Sequence, residues 1–106
     1  MSSKTKLPDI ASLPTAKIKV PQHVVYRSFP SETVVLNLQT GKYHGLNATA
    51  GHTLETLERA ACVRDAAFAL AERYEQPQEM VEKDVCDLCH ALLERGLVEV
   101  DRASAS

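Results

Sequence analysis

The hydrophobic periods along this 106-residue chain predict an α+β domain: a three-stranded antiparallel sheet followed by three helices, in a winged helix-turn-helix-like arrangement. Three observations carry this expectation. Short β-branched and alternating stretches fill residues 23–46. The apolar spacing then turns helical from residue 47 to residue 95. Strands and helices are thus segregated along the chain, which separates α+β from a doubly wound α/β fold.

Each element has its own signal. HVVYRSF, His23 to Phe29, is short and β-branched at its start, and Pro30-Ser31 supplies a turn. In ETVVLNL, Glu32 to Leu38, residues Val34, Leu36 and Leu38 point one way, and Thr33, Val35 and Asn37 the other. Gln39-Thr40-Gly41 closes a hairpin, with Gly41 free to take positive φ. Lys42 to Leu46, KYHGL, is the third strand.

Asn47 is placed to cap a first helix carrying Ala50, Leu54, Leu57 and Ala61. A break near Cys62 opens a second helix with Val63, Ala67, Leu70 and Tyr74. Pro77 suits the start of a third helix, where its missing N–H is not needed, and Gly96 suits its end. Leu97 to Val100 adds a short terminal strand. Residues 1–22, with Pro8, Pro14 and Pro21 among Ser, Thr and Lys, read mostly as a flexible arm, in which Ile18 to Val20 offers weak pairing to a sheet edge. Residues 23–100 are expected to form the domain, and residues 101–106 a disordered tail.

Composition narrows the function classes. Apolar residues make up 44% of the chain, enough for one modest core. No apolar run approaches the ~20 residues of a membrane span, and the N-terminus lacks an apolar signal region, so a cytoplasmic protein with reduced cysteines is expected. Net charge is −2 but unevenly spread: residues 1–19 hold four Lys against one Asp, residues 20–106 eight Lys/Arg against thirteen Asp/Glu. Residues 77–95 carry Glu79, Glu82, Asp84, Asp87 and Glu94 against Lys83 and Arg95. A recognition helix with five acids and two bases is repelled by phosphate, which disfavours a DNA-binding regulator.

The stretch DVCDLCH, Asp84 to His90, contains C-x-x-C-H, the haem-attachment spacing. Haem attachment requires an oxidising compartment, and no export signal accompanies the motif. Cys86, Cys89 and His90 offer three zinc ligands where a structural site needs four, and a regular helix spreads them over a wide arc. No nucleophile–base pair and no Gly-rich phosphate loop stand out. No enzymatic activity, cofactor or metal is expected.

At roughly 100° per residue, the third helix carries Val81, Val85, Leu88 and Leu92 on one narrow stripe, read as the core face. Glu82, Cys86, Cys89 and Leu93 form a second stripe beside it. One reading makes Cys86 and Cys89 small hydrophobes at the core margin. The other makes their stripe the wall of an open groove. If the free edge of the third strand borders that groove, an extended peptide adds to the sheet as a further strand.

The run VVLNLQTGKYHGLNATAG, followed by a helical pair and EKDVCDLCHALLERGLVEV, resembles the PqqD-like proteins, the recognition elements of ribosomally made, post-translationally modified peptides. The resemblance covers about residues 23–100. It implies a non-catalytic protein that binds the leader of a precursor peptide as a strand against the third strand and third helix. It also implies presentation of that peptide to a modifying enzyme: a radical enzyme, a leader peptidase or a cyclodehydratase. Carried onto this chain, the strand side is Lys42, Tyr43, His44, Gly45 and Leu46. The helix side, from the wheel, is Glu82, Cys86, Cys89 and Leu93. Neither nucleic acid nor membrane is an expected partner.

Overall fold

Alternation decides which sheet face is buried, and here the more polar face goes inward. The computed structural model describes residues 10–101. Strands β2 (Val24–Ser28), β3 (Glu32–Asn37) and β4 (Lys42–Asn47) form an antiparallel sheet in the order β2-β3-β4. Helices α1 (Ala48–Arg59), α2 (Val63–Tyr74) and α3 (Gln78–Glu94) follow, so the architecture is α+β with strands and helices segregated. Two further short strands, β1 (Ile18–Lys19) and β5 (Glu99–Val100), pair antiparallel as a separate ribbon.

The core face of β3 holds Thr33, Val35 and Asn37, all buried. Its polar members are satisfied. Thr33 Oγ1 lies 3.0 Å from Ser28 Oγ, and Asn37 Oδ1 accepts the backbone N–H groups of Gln39 and Thr40 at the hairpin. Burying these groups is tolerated because each keeps a hydrogen bond. Helix α1 crosses this face at Gly51, where an added Cβ would lie 2.1 Å from Thr33 Oγ1. Glycine is therefore required there by close approach.

Helix ends are closed by local chemistry. Asn47 caps α1, its side-chain oxygen accepting from Ala50 N at 2.8 Å. Helix α3 ends in a Schellman motif: Gly96 takes φ 73°, Gly96 N–H donates to Leu93 O, and Leu97 N–H donates to Leu92 O. The same motif ends α2, but its left-handed residue is Glu75, at φ 55°. Pro77 then opens α3.

The expectation of a flexible arm over residues 1–22 is corrected for its described part; residues 1–9 lie outside the described residues. Ile10–Thr15 forms a 3-10 helix packed against α2 and α3, with Leu13 wholly buried. Ile18 is likewise buried and pairs with Val100. Lys17 Nζ donates to the carbonyls of Glu58 and Ala60 at 2.8 and 2.7 Å, placing a cation at the negative end of α1. The prolines kept this segment from reading as a regular element, yet its apolar side chains are what the core takes up. The weaker reading, that Ile18 and its neighbours pair with a strand, is where the segment resides. Asp101 donates its N–H to Lys17 O, and the rest of the expected tail lies outside the described residues.

Leu13→Ala tests this packing: truncation of a fully buried leucine is expected to lower unfolding free energy by roughly 2–4 kcal/mol in urea denaturation. An unchanged midpoint would mean that the segment is not part of the core.

Candidate functional site

Strand β4 pairs with β3 on one side only, so among the described residues its other edge is open. Such an edge presents unpaired N–H and C=O groups to any extended chain that approaches. Register with β3 sets the side-chain directions. Lys42, His44 and Leu46 share the inner face with Asn37, Val35 and Thr33. Tyr43 and Gly45 share the outer face with Leu36 and Val34. Leu46 is buried, His44 half-buried and Lys42 exposed. Tyr43 is 71% exposed, so it stands on the sheet rim with no share in the core. Gly45 does not have positive φ, and an added Cβ would meet only Glu32 Oε1 at 3.8 Å. Nothing among the described residues demands glycine at that position.

A depression of about 470 Å3 opens beside the end of β4, with Asn47 in its wall. Ala50 and Thr53 of α1 and Leu70 and Tyr74 of α2 form two sides. Helix α3 supplies the third with Met80, Val81, Asp84 and Leu88. Tyr74 is held at the wall by a 2.8 Å hydrogen bond between its hydroxyl and His52 Nδ1. The lining is chiefly apolar, and among the described residues Asp84 is its one charged member.

None of the nine residues proposed from the sequence lines this depression. The five strand residues lie along the open edge that approaches it. On the helix side the groove reading of the two cysteines gives way to the other one, small hydrophobes in the core. Cys86 and Cys89 are 6% and 0% exposed and belong to the core. Leu93 is half-buried and packs against that core. Glu82 forms an ion pair with Arg64 of α2 at 3.2 Å. The buried seam of α3 (Val85, Cys86, Cys89, Leu92) is rotated toward the cysteines by roughly 60° from the stripe expected to be the core, at 100° per residue. The N-terminal 3-10 helix supplies the reason: it packs on α3 and joins Leu13 to the same buried cluster as the cysteines. The flank left facing the depression carries Val81, Asp84 and Leu88. An apolar pair, Leu13 and Ile18, in the proline-containing N-terminal segment was the available signal for this rotation.

The cysteines are chemically quiet. Burial pushes the Cys89 thiol from the ordinary 9.0 up to about 12. Cys86 is raised as well, first by burial and then by the nearby carboxylates of Glu82 and Asp87. Both sulfurs are protonated at neutral pH and are poor nucleophiles. His90 Nδ1 sits 4.0 Å from Glu94, away from them in role. Among the described residues, no group of three or more His, Cys, Asp or Glu is placed to hold a metal ion. What the surface offers is backbone hydrogen bonding beside an apolar concavity.

Two measurements follow for the thiols. Alkylation of the native protein is expected to modify half-buried Cys62 first, with Cys86 and Cys89 reacting only on unfolding; rapid modification of Cys89 would contradict its burial. Because the folded state holds the Cys89 proton up to about pH 12 while an unfolded thiol loses it near 9.0, this group's stabilisation is complete below pH 9 and declines as pH rises toward 12. The raised phenol of Tyr26, half-buried and donating its O–H to Glu58, acts in the same direction.

Solved structures share this fold. The solved structure of TbiB1 in complex with the TbiA(beta) leader peptide is 32% identical, with TM-score 0.70, over 76% of this chain and 94% of that one. A lasso peptide synthetase B1 complexed with the leader peptide is 25% identical, with TM-score 0.71, over 79% of this chain and 99% of that one. No curated protein matches. The family model described as coenzyme PQQ synthesis protein D (PqqD) matches residues 32–98, more than half of the sequence, and the chain belongs to that family.

Proposed function

We propose that this chain is a non-catalytic binding protein that takes up the leader segment of a ribosomally made precursor peptide and presents it to a modifying enzyme. The observation that carries this reading is the open edge of β4 beside an apolar depression, in a chain similar to two proteins solved with leader peptides. The guest adds as a fourth strand along Lys42 to Leu46, gaining ladder hydrogen bonds. Alternate guest side chains then turn toward Val81, Asp84 and Leu88 or toward the outer face beside Tyr43. Gly45 leaves room for a neighbouring backbone, which accounts for a glycine that the chain's own packing does not require.

On this reading the guest meets the flank bordering the depression, with Cys86 and Cys89 in the core behind it. Likeness to synthetase B1 proteins favours a partner that acts on lasso peptides, such as a leader peptidase, over a radical enzyme or cyclodehydratase. No helix among the described residues is long and apolar enough to cross a membrane, in keeping with action in the cytoplasm where precursors are made. A DNA-reading role is disfavoured by the acids along α3.

Calorimetric titration with synthetic leader peptides, beginning with the TbiA(beta) leader of the similar complex, tests the reading. Guest residues of an added strand turn their N–H groups alternately toward and away from β4. N-methylation at one parity is therefore expected to weaken binding by about tenfold or more, the loss of one or two net hydrogen bonds, while the other parity leaves it unchanged. Equal sensitivity at every position would contradict strand addition.

A further inference from the structure

We propose that Asp84 sets the specificity of the depression, selecting a guest that seats an apolar side chain there and carries a Lys or Arg beside it. This deepens the peptide-binding reading and rests on it. Two physical features point to a cationic neighbour. The walls supplied by Ala50, Leu70, Val81 and Leu88 suit an aliphatic or aromatic side chain, because burying it releases water from both surfaces. Among the described residues Asp84 is the one charged member of that lining, and it is exposed.

The Asp84 carboxylate has no hydrogen-bond or ion-pair partner among the described residues. The nearest lysine in sequence, Lys83, is held by Asp87 at 2.9 Å, one helical turn on. A negative charge beside an apolar concavity repels acidic guests and attracts basic ones, and the surrounding field has the same sign, since residues 20–106 carry thirteen Asp/Glu against eight Lys/Arg. An added strand places neighbouring side chains on opposite faces and every second one on the same face. The cation is thus expected two residues from the apolar anchor when both face α3. Charge at this position acts as a filter: an apolar anchor alone fits many peptides, and an acidic neighbour is rejected.

Asp84 is exposed, so replacing it is not expected to disturb the fold. A displayed library of randomised peptides is selected on the wild-type protein and, separately, on Asp84→Asn. Enrichment of Lys or Arg two residues from an apolar position is expected on the wild type and absent on Asp84→Asn. For a synthetic peptide from the wild-type selection, Asp84→Asn is expected to raise Kd roughly two- to fivefold, as for an exposed ion pair. Asp84→Lys is expected to raise it further and to restore binding when the peptide's cation is exchanged for Glu. Glu94→Gln, on the last turn of α3, serves as the control and leaves Kd unchanged. Selected peptides that bind along β4 without a basic preference, or whose affinity ignores Asp84, overturn the assignment and leave the peptide-binding reading standing. Recovery of no binding peptide overturns both.

Discussion

The seat of α3 on the rest of the chain is the constraint on which this structure depends. The helix is apolar over a wider arc than a single packing partner covers. The N-terminal 3-10 helix, anchored by buried Leu13 and by the β1–β5 ribbon, packs on α3, and Leu13 shares one buried cluster with Cys86 and Cys89. That contact fixes the rotation of α3 about its axis. It leaves the opposite flank, with Val81, Asp84 and Leu88, free to border the depression. A few apolar side chains at the start of the chain therefore decide which face of a distant helix remains available to a partner.

The sheet contributes the complementary half of the site. Its core face is satisfied internally by Thr33, Val35 and Asn37, and Gly51 lets α1 approach closely over Thr33. With α1 beginning directly after Asn47, the chain turns away from β4, and no strand among the described residues pairs with its outer edge. Unpaired backbone groups on a sheet edge invite further pairing, and here the edge is short, carries Lys42, and is flanked by a concavity. Those features suit a reversible guest strand. The buried, protonated thiols of Cys86 and Cys89 belong to the core and give the binding surface no nucleophile.

Local rules read much of the fold directly from the residues. The switch from period two to helical spacing located three strands and three helices, because both periods follow from backbone geometry. Asn47 as cap and Gly96 as stop are residue types with one physical use in those places, and both serve it. The sequence was silent where context overrides propensity. Glu75 takes a left-handed conformation usually held by glycine. The proline-containing N-terminal segment masked a buried anchor. On α3 the wheel shows an over-wide apolar arc but not the tertiary partner that splits it, so it leaves Cys86 and Cys89 between core and groove, and burial places them in the core. The strand residues Lys42 to Leu46 were legible as an edge because they end a meander, whereas the depression, assembled from four elements, had no signature in any one of them.

The most direct test is amide hydrogen exchange followed residue by residue by NMR, with and without saturating leader peptide. If the open edge is the guest's seat, alternate amides within Lys42–Asn47 slow markedly on binding, while those of the opposite edge strand, Val24–Ser28, exchange as before. Protection that appears on β2 or elsewhere, with β4 unchanged, would contradict the account.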